Sequence, residues 1–266
     1  MSDITNGLSA GLSAGLSSAD SLEGFPGVHI AVDVAVMTVG PADENGDRPL
    51  LTLLYRRPEG FAAGSWSLPG RFVRFEERLR EAAAKCLVEK AGIRGITPRQ
   101  LTVLDKPKRD PRGWTMSVGH IAPVPFEWAA RAVAESPNTR ELAVVTERQI
   151  RFPNSQAELP FEQQKIVDYA VDYLRERYYR SPDPKGFLGE RFTLAELFAV
   201  HSAVLGKDFY SRDSFRRTFE PWLEETGETT RGGIGKPAML YTRRDKPQRT
   251  PRRINKPSSS QIATDF

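Results

Sequence analysis

The chain has 266 residues, of which 39% are hydrophobic and 27% are charged, and its formal net charge is +4. This length predicts two domains, or one domain with extensions. A single cysteine excludes an internal disulfide framework, and neither a membrane span nor a secretion signal is visible, so we expect a cytoplasmic protein without a membrane partner.

The first 24 residues repeat Gly, Leu, Ser and Ala, a composition that cannot build a core, and we predict a disordered tail over 1–24. Alternating aliphatic residues then predict strands over residues 28–39 and 50–55. Arg56 and Arg57 follow the second strand. A basic residue at a strand end can face a phosphate or simply be solvated, and both interpretations remain open.

Residues 68–93 predict a loop that leads into a helix. The chain turns at Leu-Pro-Gly, and from Glu77 a strong helix-forming run carries one apolar stripe and ends at Gly92. Charged residues in this run recur every four positions, so they can also form an ion-pair ladder on an exposed helix face. These residues are Glu77, Glu81, Lys85 and Glu89.

Strands over residues 101–105 and 114–122 flank a turn that contains Asp-Pro and Gly, which are turn residues in their own right. The turn also carries Arg109 and Arg112. Guanidinium groups suit a pyrophosphate because they offer paired donors, so these two arginines are our best phosphate candidates.

Two tryptophans, Trp66 and Trp114, lie beside predicted strands. Either ring can stack on an adenine, although a tryptophan beside a strand is more often part of the core. Strand alternation leaves the direction of both side chains open.

A short helix over 126–134 and a strand over 142–146 precede a long helix, which helical spacing predicts over 158–179. A Ser-Pro-Asp-Pro sequence stops that helix and places a domain boundary near residue 181. The predicted units are a first domain over 25–157, a connecting helix over 158–180, a second domain over 181–245 and a basic disordered tail over 246–266.

The sequence of the second domain predicts two helices followed by a β-hairpin. Thr193 and Glu196 form a capping box on the first helix, and Ser211 caps the second. His201 lies on the apolar face of the first helix, so we interpret it as a packed core histidine. Strands over 222–226 and 238–242 enclose a Gly-rich basic turn, and the whole predicts a winged helix-turn-helix.

The excess positive charge lies in this part of the chain. Residues 181–266 hold fifteen Lys and Arg against eleven Asp and Glu. Winged domains that do not bind DNA occur, but this charge favours a polyanionic partner, nucleic acid before membrane. The candidate DNA contacts are Arg212, Arg216, Arg217, Arg231, Lys236, Arg243 and Arg244.

Residues 71–93 resemble the Nudix box in frame but not in chemistry. Glu77 and Glu89 match acids of the pattern. In active members the acids of the second half hold magnesium and polarise the attacking water. The resemblance therefore implies a Nudix α/β/α sandwich that holds no metal and has lost or crippled hydrolysis. The positions that depart from the pattern are Arg71 for Gly, Lys85 for Arg, Cys86 for Glu and Lys90 for Glu.

A degenerate Nudix domain followed by a winged helix resembles the Nudix-related transcriptional regulators of NAD metabolism. The resemblance also rests on Arg-Asp-Pro-Arg-Gly at 109–113, Ser-Phe-Arg-Arg at 214–217 and Arg-Gly-Gly-Ile-Gly-Lys-Pro-Ala at 231–238. It implies a homodimeric repressor of NAD genes that binds a palindromic operator in double-stranded DNA. It further implies that ADP-ribose or a related NAD derivative acts as effector, with no cofactor required, and we expect the long helix over 158–179 to couple the two sites.

The principal alternative is a divergent Nudix hydrolase that acts on ADP-ribose and uses the winged helix only to dimerise. In that case Glu77 and Glu89 retain weak metal binding. Replacing Cys86 and Lys90 with Glu separates the two, because a gain of magnesium-dependent hydrolysis shows that the native site is disabled.

Overall fold

The computed structural model describes residues 27–146, 149–152, 156, 158–207, 209–230 and 237–248. The predicted tail over 1–24, and residues 249–266 of the tail predicted over 246–266, lie outside these residues. Within the described ranges, no helix combines the length and the apolar character needed to cross a membrane.

A mixed sheet organises the first part of the chain. The strands are β1 His29–Val39, β2 Leu50–Arg56, β3 Trp66–Ser67, β4 Gly70–Phe72, β5 Arg99–Leu104, β6 Thr115–Pro123, β7 Arg140–Thr146 and β8 Gln149–Arg151. Their order in the sheet is β5-β6-β1-β2-β7-β8, while β3 pairs with β2 and β4 pairs with β1. β1 and β6 run parallel, and the other pairs are antiparallel.

Strand β1 is buried on both faces because helices cover the sheet from both sides. Val32, Val34 and Val36 point towards helices α1, Leu79–Cys86, and α2, Phe126–Glu135. The alternate residues point towards the opposite layer, which is built by α3, Gln163–Tyr178. This arrangement confirms the predicted α/β/α sandwich.

The segment before α1 differs from the prediction of a plain loop, because it contains the short strands β3 and β4. The backbone of β4 pairs with Ala31–Asp33 of β1, a contact that local periodicity cannot reveal in three residues. Helix α1 begins at Leu79, two residues later than predicted, and continues as a π-helical turn, Leu87–Ala91. It ends as predicted at Gly92, whose φ of 71° lies in the left-handed region.

The long helix is also shorter than predicted. A 3-10 turn, Pro160–Glu162, precedes α3, and both Phe161 and Glu162 adopt a φ of 58°. Left-handed residues cannot continue a right-handed helix, so α3 begins only at Gln163.

The C-terminal part contains two helices and three strands. The bounds are β9 Phe192–Thr193, α4 Leu194–Leu205, α5 Arg212–Phe219, a 3-10 turn Glu220–Trp222, β10 Leu223–Thr229 and β11 Met239–Arg243. The strands form a sheet of order β10-β11-β9. Thr193 and Glu196 form the predicted capping box, and the Ser211 hydroxyl accepts a hydrogen bond from the Ser214 amide. The helix pair and hairpin form the predicted winged helix.

One hydrophobic core joins the sandwich to the winged helix. Ile166, Val167 and Leu174 of α3 are fully buried in the same cluster as Phe192 and Phe215 of the winged helix. The division of the chain at residue 181 stays a prediction, since side chains pack continuously across it.

His201 packs as predicted, and it gives stability a defined pH dependence. The ring contacts Tyr178, Phe215 and Phe219, and burial lowers the pKa of His201 to about 3. An unfolded histidine has a pKa of about 6.5, so the unfolded state binds the proton first as pH falls. The stabilisation is therefore complete above about pH 6.5 and is lost as pH falls towards 3.

We predict that urea unfolding between pH 6 and pH 4 shows a loss of free energy of unfolding that is about 2 kcal/mol larger for the native chain than for His201→Leu. The variant lacks the titrating imidazole, so its stability follows only the remaining groups. Equal losses in the two proteins contradict the prediction.

Candidate functional site

A pocket of about 260 Å³ opens where β1, β4 and β6 meet the first turn of α3. Its lining contains five cationic side chains but only two carboxylates, those of Asp33 and Asp110. A concave site with this excess of positive charge suits a phosphate-bearing ligand. The five cations are Arg57, Arg71, Lys90, Arg109 and Arg112.

Arg109 and Arg112, the two phosphate candidates, enter the pocket from the turn between β5 and β6, and their contact with a phosphate stays a prediction. Asp110 fixes Arg112, because its carboxylate accepts hydrogen bonds from Nε at 2.9 Å and from a terminal guanidinium nitrogen at 2.7 Å. These bonds hold the pKa of Asp110 below its usual value. Arg112 is thus pre-organised at the pocket rim, whereas the Arg109 side chain is only 2% exposed.

The Nudix-box acids are paired with cations of the chain itself. The Arg71 guanidinium lies 2.9 Å from Glu77 and 3.6 Å from Glu89, so it bridges the two carboxylates. Lys85 contacts Glu77 at 2.8 Å, and its hydrogen bond is the largest of several that lower the pKa of Glu77 to about 2. The expected ladder of pairs four residues apart is not formed among these described residues, because Lys85 pairs instead with Glu77, which lies eight positions earlier and precedes the helix.

The remaining two box positions are also changed in character. The Lys90 ammonium donates to the Gly70 carbonyl and lies 5.2 Å from the centre of the Tyr55 ring, and burial lowers the pKa of Lys90. Cys86 is fully buried, and burial raises the pKa of its thiol to about 12. Among the described residues, no three His, Cys, Asp or Glu side chains are grouped to hold a metal ion.

Asp33 forms the floor of the pocket. It accepts hydrogen bonds from the Ser117 hydroxyl and from Nε2 of Gln163, the latter at 2.6 Å, and burial raises the pKa of Asp33. Oε1 of Gln163 also accepts a hydrogen bond from the Leu68 amide at 2.9 Å, so two hydrogen bonds join the start of α3 to residues of the pocket lining. Sequence reasoning missed Asp33, although a lone acid in a valine-rich strand is the signal that could have found it.

The other predicted ligand contacts lie away from the lining. Arg56 is exposed and donates to the Gly64 carbonyl at 3.3 Å, whereas its neighbour Arg57 lines the pocket. Trp66 is buried in the core, and Trp114 is 46% exposed outside the lining. The aromatic rings that line the pocket are those of Phe72 and Phe161, which were not singled out.

In the winged helix, α5 carries three exposed arginines on one short segment. Arg212 lies 5.0 Å from the centre of the Phe198 ring, and Arg216 pairs with Glu220 at 3.1 Å. Arg217 is exposed on the same helix, opposite the buried Phe215. The predicted contacts Arg231 and Lys236 lie outside the described residues.

Arg243 and Arg244 are engaged within the domain. The Arg243 guanidinium pairs with the buried carboxylate of Asp183, donates to two backbone carbonyls and covers the Phe192 ring at 4.8 Å. Arg244 donates to the Leu223 carbonyl at 2.9 Å. These contacts argue against a DNA contact by Arg243, since moving its guanidinium would leave a buried charge unpaired.

The same domain matches a known family. Residues 185–242 fit the model of the NrtR DNA-binding winged helix domain. The C-terminal domain of this chain is thus similar to the NrtR winged helix. In helix-turn-helix domains, the second helix of the pair lies in the major groove, and the second helix here is α5.

Two relatives extend the likeness to most of the chain. The ADPR responsive transcriptional repressor NtrR of Acinetobacter baylyi is 26% identical over 219 residues, which cover 82% of each chain. The crystal structure of Shewanella oneidensis NrtR complexed with a 27mer DNA matches with a TM-score of 0.64 and 28% identity, over 81% of this chain and 93% of that one.

A MutT/nudix family protein from Enterococcus faecalis has the same fold, with a TM-score of 0.62 and 20% identity over 85% of this chain and 90% of its own. Together with the described topology, these likenesses confirm a Nudix fold followed by a winged helix.

We predict that Gly70→Ala destabilises the protein by about 1–3 kcal/mol, because a Cβ at this position collides with the Asp33 carboxylate and lies 3.2 Å from the Val32 carbonyl. Urea unfolding measures the change. Gly189→Ala is the matched control, since its Cβ meets nothing within 4 Å. Equal stability of the two variants contradicts the geometry of the pocket floor.

Proposed function

We propose that this chain is a transcriptional repressor that binds DNA through its winged helix and responds to ADP-ribose bound in the Nudix pocket. The observation that carries the proposal is the NrtR winged helix over residues 185–242, packed through a common core onto a cationic Nudix pocket. The regulator works in the cytoplasm as a homodimer on a palindromic operator near NAD genes.

The DNA half of the proposal rests on helix α5. Arg212, Arg216 and Arg217 are exposed there, and guanidinium groups bind both phosphate oxygens and guanine edges. The likeness to an NrtR structure complexed with a 27mer DNA supports DNA as the partner.

The effector half rests on the pocket and on a relative. The Acinetobacter repressor is named ADPR responsive. In this chain, Arg57, Arg109 and Arg112 offer a diphosphate paired donors, and Phe72 and Phe161 offer rings for a base or a sugar face. Asp33 offers carboxylate oxygens to a hydroxyl of the ligand.

We further propose that the site does not hydrolyse its ligand. Arg71 bridges Glu77 and Glu89, where a divalent cation of an active enzyme needs free oxygen ligands. Lys90 adds a second positive charge to the same lining. These fixed cations disfavour a bound dication and leave the attacking water without activation, so the hydrolase alternative is the weaker one.

The first test is fluorescence anisotropy of promoter fragments from the NAD genes of the source genome, with ADP-ribose added at fixed salt. We expect sequence-selective binding that ADP-ribose relieves. Arg217→Ala should weaken binding by about 1–3 kcal/mol, since it removes one contact to DNA. Arg80→Ala removes an exposed arginine of α1 and should leave binding unchanged. Weak binding without a ligand effect contradicts the proposal.

The second test is calorimetric titration of ADP-ribose with magnesium and then with a chelator. We expect the same dissociation constant in both, because the cations of the chain replace the metal. Arg71→Gly combined with Lys90→Glu should gain magnesium-dependent binding, whereas Lys85→Gln should not. These positions are preferred to Cys86, where a Glu would bury a charge in the core. Magnesium-dependent cleavage by the native chain would favour the hydrolase.

A further inference from the structure

The turn that precedes α3 is strained and lies against the pocket. Phe161 and Glu162 both adopt left-handed backbone conformations, with ψ of 34° and 20°. Residues with side chains avoid this region, so two in succession persist only where surrounding contacts hold them. The contacts around this turn therefore decide its conformation.

Cations that line the pocket supply most of these contacts. The Arg109 guanidinium donates to the Phe161 carbonyl, and its Nε lies 3.9 Å from the Glu162 carboxylate. Arg57 and Arg112 lie over the Phe161 ring at 5.1 and 5.2 Å from its centre. The same three guanidinium groups thus hold the turn and face the pocket.

A second set of contacts holds the turn from outside the pocket. Glu162 pairs with Lys165 at 3.0 Å and with Lys106 at 3.8 Å. Glu162 is not part of the pocket lining. A change at Glu162 therefore alters the stability of the turn without removing a group that touches a ligand.

Helix α3 carries any change in the turn to the winged helix. Its last buried residue, Tyr178, stacks on Phe187, contacts His201 edge-on and donates to Asp183 at 2.7 Å. Arg175 donates to the Val204 carbonyl at the end of α4. The C-terminal end of α3 is thus part of the DNA-binding domain, while its N-terminal end is part of the pocket wall.

We propose that the Phe161–Glu162 turn is the switch through which a diphosphate-bearing ligand weakens DNA binding. This inference rests on the proposed function. Phosphate oxygens compete with the Phe161 carbonyl and ring for Arg57, Arg109 and Arg112, because a charged acceptor binds a guanidinium more strongly than a neutral one. Once these contacts are withdrawn, the turn leaves its left-handed conformation, and α3 shifts together with the winged helix.

The switch has a reciprocal signature. If the held turn favours DNA and the released turn favours the ligand, a variant that loosens the turn must strengthen ligand binding and weaken DNA binding. Glu162→Gln is such a variant, since it removes the ion pairs and keeps the size of the side chain. A merely structural defect would weaken both equilibria.

The decisive experiment compares the native chain, Glu162→Gln and the exposed control Glu158→Gln by calorimetry with ADP-ribose and by anisotropy with operator DNA. We expect Glu162→Gln to bind ADP-ribose about two- to tenfold more tightly and DNA more weakly, and the control to match the native chain. Lys165→Gln should repeat the effect from the partner side. The switch is overturned if the native chain releases DNA in response to ADP-ribose and Glu162→Gln binds both ADP-ribose and DNA as the native chain does. It is also overturned if the variant binds both of them more weakly.

Hydrogen exchange of the full chain separates failure of the switch from failure of the proposed function. ADP-ribose, or inorganic pyrophosphate as the minimal probe, should speed exchange of the amides at 161–166 while residues 170–178 stay protected. If ADP-ribose weakens DNA binding while exchange in the turn is unchanged or slower, the switch is overturned and the proposed function stands. If exchange in the turn speeds up but ADP-ribose does not affect DNA binding, the ligand releases the turn without any effect on DNA, and both the switch and the repressor proposal fail.

Discussion

The burial of α3 on two sides is the interaction on which the rest of the structure depends. One stretch of Ile166, Val167, Ala170 and Leu174 is almost completely excluded from solvent between the Nudix sheet and the winged helix. Apolar side chains buried against both units bind them together without a specific polar contact. Any movement of one unit relative to the other must therefore move α3 as well or disrupt this core.

Fixed positive charge is the second constraint, and it has a different effect at each site. In the pocket, Arg71 and Lys90 are anchored by partners within the chain, while Arg112 is held in place by Asp110. On α5 the arginines are exposed, and Arg216 has an ion pair that bulk water and salt screen readily. Under the proposed function, the pocket suits a small anion held in one orientation, and the helix suits an extended polyanion.

Sequence reasoning recovered most of the elements because their periodicity is local. Alternating valines predict β1, and the capping box of Thr193 and Glu196 predicts the start of α4, since each signal lies within a few neighbouring residues. The short strand β4 escaped prediction because its pairing partner in β1 lies about forty residues away.

The pocket was predicted only where one turn supplies it. Arg109 and Arg112 come from a single recognisable turn, whereas Asp33 of β1 meets Phe161 and Gln163 only after two segments that lie far apart in the chain have folded together. The sequence does not decide between Arg56 and Arg57, because the face to which each side chain at a strand end points is unknown until the neighbouring strands are placed. The left-handed turn was invisible because its residues are not glycines.

The cluster around Asp183 sets the limits within which this architecture can be recombined. Its carboxylate accepts hydrogen bonds from the Tyr178 hydroxyl at the end of α3 and from the amides of Phe187 and Leu188. It also pairs with the guanidinium of Arg243 on the last strand of the wing. If the chain were cut after α3 and the winged helix were fused to another sensor domain, Tyr178 would be separated from this cluster. The unit that can be transferred therefore includes α3, because the helix that begins at the pocket also positions the wing.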